Sequence, residues 1–365
     1  MAGIYLHVPF CHAKCAYCDF YSVARPSLAE SYACAVSSEY SLRCGELAGE
    51  PVNTLYFGGG TPSILPVDVF RKLAQLLRKS ETEEFTIEVN PEDVDADRVR
   101  AWKDAGVNRV SIGVQSLDDA ELKAVNRRHS ATRALEAIET LRSAGITNIS
   151  ADLIYGLPGQ TAATWTQSVR KLADAGVTHI SAYCLSFEPG TLLTRRLEQG
   201  LIEQASEELI EEMYGILCRE LAARGFEHYE ISNFALPGCR SRHNSAYWHG
   251  VPYLGLGPGA HSLTASGLRR FNPPDIKGYI AKNGDIAQDD YESGTDVIND
   301  TIMIRMRTAE GLEKSFLDFG ALSQITKNAA RWIDSGHLRS TCEAFYIPEE
   351  SWLFADAIIR DMFLD

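Results

Sequence analysis

Cys11, Cys15 and Cys18 stand at C-x3-C-x2-C spacing inside the stretch Tyr5-Leu6-His7-Val8-Pro9-Phe10-Cys11-His12-Ala13-Lys14-Cys15-Ala16-Tyr17-Cys18-Asp19-Phe20. A structural zinc site closes with four ligands, commonly two separated pairs, whereas three thiolates on one loop leave a coordination position unfilled. That set suits an iron–sulfur cluster in which one iron stays open to an outside ligand. Two plainer readings stand beside it: a zinc loop completed by His12, and three unrelated thiols.

A loop of this kind has to be held by regular structure. Short β-rich runs at 4–8, 54–57, 86–89, 109–113, 150–154 and 179–185 alternate with helical patterns at 67–79, 97–105, 131–144 and 164–175. The last three helical patterns run up to Gly106, Gly145 and Gly176, a usual stop signal. Successive βα units predict an α/β fold with a parallel sheet and right-handed crossovers, although periodicity does not say whether the sheet closes. In such a fold the chemistry collects at the carboxyl ends of the strands. Those ends hold the Cys11 loop, Gly58-Gly59-Gly60-Thr61-Pro62, Glu88 with Asn90, Gln115-Ser116, Asp152, and Ser186 with Glu188. The glycine run is either a tight turn or bare backbone that lets a ligand approach; no Lys follows, so it is not a P-loop. A carboxylate or amide at a strand end serves as a helix cap, a loop anchor or a ligand contact.

The cysteine spacing, after an apolar strand and with Tyr17 just before the last cysteine, resembles the signature of the radical S-adenosylmethionine (SAM) superfamily. The resemblance implies an open, partial (β/α)6 barrel. It also implies a 4Fe-4S cluster on Cys11, Cys15 and Cys18, whose fourth iron is chelated by SAM and whose electron cleaves SAM to methionine and a 5'-deoxyadenosyl radical. The segments Glu88-Val89-Asn90-Pro91, Gly113-Val114-Gln115-Ser116 and Asp152-Leu153-Ile154-Tyr155-Gly156-Leu157-Pro158 are similar to family segments. By that resemblance Gly59, Gly60, Thr61, Glu88, Gln115, Arg127 and Asp152 contact SAM. Tyr5 matches a SAM-adjacent tyrosine, or is a strand aromatic facing the core. Arg127 lies in Asn126-Arg127-Arg128-His129, where this branch usually has Gly-Arg-x-His, a departure that bears on the local backbone.

A Glu-rich helix from about 206 to 224 ends at Gly225, and Tyr229-Glu230-Ile231-Ser232-Asn233-Phe234-Ala235 follows. Within Arg242-His243-Asn244-Ser245-Ala246-Tyr247-Trp248, the aromatic side chains suit the edge of a flat apolar ligand, with an imidazole able to ligate its metal. The same His243 reads equally as a hydrogen-bonded core residue. The H-N-x-x-Y-W string resembles the haem-chaperone branch of the family, HemW, and on that resemblance His243 contacts haem. Residues 253–262 loosely mimic G-x-G-x-x-A, but Pro258 and the lack of a suitably placed acid make a loop packed over the barrel mouth the expectation. A linker or lid is expected over 265–300, then helices at 297–307, 323–334 and 350–363 and a hairpin at 338–347, a winged-helix-like order.

A formal charge of −14 over 365 residues argues against nucleic acid or an anionic membrane as main partner. The C-terminal module carries four Lys or Arg against seven Asp or Glu from 321 to 365, which argues against DNA there too and for covering the barrel or docking a protein. Too few residues precede Cys11 for a signal peptide, no apolar run reaches membrane length, and nine cysteines, an odd number, fit a reducing compartment; a cytoplasmic protein is expected. The division expected is a barrel over 1–235, a connecting and lid region over 236–295, and a mostly helical C-terminal domain over 296–365.

Two features separate the branches of this family. The anaerobic coproporphyrinogen III oxidases carry a further cysteine two residues after the third, where this chain has Phe20, and H-N-x-x-Y-W marks the haem chaperones. The resemblance therefore implies a protein of porphyrin metabolism that binds haem and passes it to an acceptor protein. It would retain SAM-cleaving potential without coproporphyrinogen III dehydrogenase activity. An electron donor such as flavodoxin or ferredoxin and a homodimer are further expectations. The alternatives are the oxidase itself, or another radical SAM enzyme of this branch.

Overall fold

The computed structural model describes residues 1–291 and 294–364. Residues 292, 293 and 365, which belong to the expected lid and C-terminal domain, lie outside the described residues. Strands β1 (Ala2–Val8), β2 (Val52–Gly59), β3 (Glu84–Val89), β4 (Arg109–Gln115), β5 (Asn148–Tyr155) and β6 (His179–Cys184) pair in sequence order, every pair parallel. The helices Ala29–Arg43, Val67–Leu77, Ala96–Asp104, Ala131–Ser143 and Ala162–Asp174 make the crossovers, and three of them stop just short of Gly106, Gly145 and Gly176 as predicted. Their starts are capped by side chains: Asp95, Ser130 and Thr161 each accept a first-turn backbone N–H.

Alternation along each strand sorts the chemistry. Ile4, Leu6, Leu55, Phe57, Phe85, Ile87, Val110, Ile112, Ile149, Leu153 and Ile180 enter one core with Val36, Phe70, Trp102, Leu141 and Leu172 of the helices. The alternate residues are polar or aromatic and meet one another across the strands. Tyr56 donates to Glu88 at 2.8 Å, Ser111 to Asp152 at 3.3 Å, and Ser150 pairs with His179 at 2.7 Å.

The sheet does not close. Beyond β6 come β7 (Glu227–Glu230) and β8 (Asn233–Ala235), with β8 antiparallel to β6. Beyond β1 come β9 (Tyr253–Leu256), β10 (His261–Leu263), β11 (Arg269–Phe271) and β12 (Gln288–Asp290). The result is one sheet of twelve strands, order β12-β11-β10-β9-β1-β2-β3-β4-β5-β6-β8-β7.

The stretch expected to be a loop over the mouth is therefore built into the sheet, and β9 is a seventh parallel strand, on β1. Leu254 and Leu256 are fully buried in the core, and β10 folds back so closely that a Cβ on Gly255 would meet the His261 carbonyl oxygen at 1.8 Å. The glycines there serve backbone approach, not a nucleotide.

In the C-terminal module the expected helix at 323–334 is two, Phe319–Asn328 and Ala330–Asp334. The hairpin β14 (Arg339–Ser340) and β15 (Ala344–Tyr346) gains a third strand, β13 (Leu312–Glu313). Among the described residues no helix is long and apolar enough to cross a membrane.

Candidate cluster and cofactor site

Cys11, Cys15 and Cys18 open on one cavity of about 480 Å³ at the carboxyl ends of β1–β6. The loop is tied down by backbone bonds: Cys11 N–H donates to Val23 O at 3.2 Å, Ala16 N–H to Val125 O at 3.0 Å, and Leu193 N–H to Ala16 O at 2.8 Å. Two sulfurs have polar partners. Arg127 Nη1 donates to Cys15 Sγ at 3.4 Å, and the Thr61 hydroxyl lies 3.3 Å from Cys11 Sγ. Burial, and then the two neighbouring thiols, push Cys18 up to about 11. Polar groups set beside sulfur, as Arg127 and Thr61 are here, are what thiolate ligands use. The loop thus fits a cluster.

The same cavity is walled by Gly59, Gly60, Thr61, Glu88, Gln115, Arg127 and Asp152. Gly60 lies where a Cβ would meet the Phe10 carbonyl oxygen at 2.7 Å, so only glycine lets β2 run this close to the cysteine strand. Gln115 sits at φ +66°, left-handed and costly for a residue with a Cβ, at a register shift between Gly113 and Gln115. Glu88 accepts from Tyr56 Oη at 2.8 Å and from Gly59 N–H at 3.0 Å. Burial, with Asp152 adding repulsion, nevertheless lifts its carboxyl to about 7. Asp152 is lifted as well, by burial, against hydrogen bonds from Ser181 and Ser111 and the charge of Arg109. Two reluctant carboxylates facing one cavity favour a ligand that brings positive charge.

Tyr5 and His243 are not on this wall. Tyr5 Oη meets His7 Nδ1 at 3.2 Å, and its ring packs against Tyr56 and His243 at centroid distances of 6.0 and 6.4 Å, beneath the cavity. His243 is 2% exposed, near the amino ends of β1 and β2. Its Nδ1 meets Thr54 Oγ1 at 2.8 Å and its Nε2 meets Tyr247 Oη at 2.7 Å. Burial lowers its pKa to about 3, so it is a neutral ring with both nitrogens occupied. As folded, it has no nitrogen to offer a haem iron, because Thr54 and Tyr247 take both of them where the helix Arg242–Trp248 packs on the amino ends of β1 and β2.

Sequence reading passed over Arg109, Ser111, Tyr183 and Cys184. Ser111, Tyr183 and Cys184 line the cavity, and Arg109, 1% exposed, lies below it as a charge that both carboxylates feel. The signal was available: Arg109, Ser111 and Gly113 alternate on the polar face of β4.

A family model described as the radical SAM superfamily matches residues 5–172. A haem chaperone HemW of Bacillus subtilis is 34% identical over 377 aligned positions, covering 98% of each chain. The HemW of Mycobacterium tuberculosis is 32% identical over 99% of this chain and 94% of its own. This chain belongs to the HemW branch of the radical SAM superfamily. A 4Fe-4S cluster and SAM are the cofactors that membership brings. A solved Escherichia coli coproporphyrinogen III oxidase, HemN, described as a radical SAM enzyme, shares the fold at TM-score 0.85 and 22% identity, over 99% of this chain and 90% of that one.

One departure from its branch and one agreement with it have structural sense in this HemW-family chain. Asn126, standing where the branch usually has Gly, keeps a left-handed φ of +62° that Asn tolerates, and its Nδ2 donates to Lys14 O at 3.3 Å, fastening the cysteine loop. Phe20, in place of a fourth cysteine, is 65% exposed and lines the cavity.

Proposed function

We propose that this chain is a haem chaperone that binds haem and transfers it to an acceptor protein, as its HemW relatives are named for doing. The observation that carries this reading is the match to a haem chaperone along 98% of both chains. Phe20 supports it, since a thiol two residues beyond Cys18 is missing from the rim.

In this reading Cys11, Cys15 and Cys18 hold the cluster. Gly59, Gly60, Thr61, Glu88, Gln115, Arg127 and Asp152 hold SAM, and Tyr5 buttresses the floor through Tyr56. When bound, the cluster and SAM supply one-electron chemistry. The residues' own part is to fix the sulfurs with Arg127 and Thr61 and to receive a cationic ligand with Glu88 and Asp152. Haem contact by His243 would require the Arg242–Trp248 helix to leave its seat. The division at 235 and 295, an electron donor of flavodoxin or ferredoxin type and a homodimer belong to the same proposal. So does a cytoplasmic setting, which nine free cysteines support.

The test uses anaerobic, cluster-reconstituted protein. Hemin titration is expected to give a saturable Soret change, and incubation with SAM, reductant and coproporphyrinogen III no protoporphyrinogen. Turnover without stoichiometric haem binding would replace the chaperone by the oxidase.

A further inference from the structure

Away from the cavity, Cys218, His228 and Glu349 each present a ligand atom, and the three atoms lie within 4.8 Å of one another. They come from elements far apart in sequence. Cys218 is on the helix Glu207–Ala222, His228 on β7 at the sheet edge, and Glu349 opens the 3-10 turn Glu349–Phe354 of the C-terminal module.

The imidazole is held rigidly. It stacks on Phe234 with centroids 3.8 Å apart and meets the edge of Trp352 at 4.2 Å. His228 Nδ1 lies 3.0 Å from Glu349 Oε1, while its Nε2 is buried without a hydrogen-bond partner. Cys218 is a free, half-buried thiol. A solvated ion pair does not need a thiol and a clamped ring beside it. A thiolate, an imidazole and a carboxylate within reach of one ion are a donor set that suits zinc.

We propose that Cys218, His228 and Glu349 form an open zinc-binding site, three protein ligands and one solvent position, where the C-terminal module meets the edge of the barrel. The Cys218 thiol releases its proton to solvent on binding, and the imidazole coordinates as the neutral ring. Thiolate and carboxylate together balance the two charges of the ion, and water takes the fourth position. The ion connects Glu349 directly to the helix that carries Cys218.

The experiment uses the full-length, cluster-reconstituted protein, dialysed anaerobically against zinc chloride and analysed for zinc and iron. Wild type is expected to hold one zinc per chain in addition to its iron. Cys218→Ala is expected to lose that zinc, and the near-surface Glu349→Gln to weaken it at least roughly tenfold, with iron unchanged in both. Zinc at a hundred times its Kd is expected to raise the Tm of wild type by about 3 °C, and to leave Cys218→Ala unmoved. A Cys11→Ala/Cys15→Ala/Cys18→Ala protein is expected to keep the zinc, which separates this site from the cluster loop. The proposal is overturned if wild type takes up no zinc, or if Cys218→Ala and Glu349→Gln hold as much as wild type.

Discussion

Arg127 joins the cysteine loop to the strand ends: Nη1 donates to Cys15 Sγ at 3.4 Å, while Nη2 donates to Asn90 Oδ1 at 2.8 Å and to the Gly113 carbonyl. Asn90 in turn donates to Thr61 Oγ1 at 3.2 Å, which lies against Cys11. One half-buried cation therefore touches both halves of the proposed site.

Arg127→Ala is expected to weaken SAM binding by roughly tenfold to a hundredfold, the scale of charge-assisted hydrogen bonds. It should also move the midpoint potential of the cluster negative, since a positive charge beside a sulfur stabilises the reduced state. Calorimetry with SAM and a redox titration read the two effects. Unchanged values in both would remove Arg127 from the site.

Glu88 gives a pH signature. Its folded value of about 7 lies above the ordinary value of 4.5, so the folded chain binds the proton more tightly than the unfolded one. Its contribution to stability is full below about pH 4.5 and is lost as pH rises through 7. A cationic ligand needs the carboxylate, so SAM affinity is expected to climb by up to about tenfold per pH unit below 7 and level off above it. Glu88→Gln should flatten that dependence, and a wild-type curve already flat from pH 5 to 8 would count against the assignment.

The cysteine loop makes the simplest prediction. Replacing Cys11, Cys15 and Cys18 together by Ala is expected to abolish iron and sulfide incorporation and the broad absorbance near roughly 400 nm. Native protein that comes through anaerobic purification with zinc in place of iron on these thiols would contradict it.

His243→Ala removes a ring stacked on Tyr56 at 5.1 Å and leaves Thr54 and Tyr247 without partners. A loss of about 2–4 kcal/mol is expected in chemical denaturation, with hemin affinity of the folded fraction unchanged. A variant of wild-type stability that loses its Soret change would restore His243 as a haem ligand.

Much of the fold was legible because parallel strands and their crossover helices repeat a local pattern. The six strands and the glycine stops at 106, 145 and 176 lie close to where the pattern puts them. The helix Ala29–Arg43 escaped it, since it buries Glu39 and Arg43, paired at 2.6 Å, among its apolar residues. Likewise β9 looked like a loop, because Gly255 and Gly257 mask a strand whose partner, β1, lies some 250 residues away in the chain.

The residues by themselves determined the cysteine loop, the polar strand ends and the kinship, because spacing and strand-end position are properties of local chain. Only the tertiary structure decided that H-N-x-x-Y-W packs on the amino ends of β1 and β2 and that Arg109 charges the barrel interior. It alone put Cys218, His228 and Glu349 at one point. Contact across a sheet depends on which distant strands pair and in what register, and no short stretch of sequence carries that information.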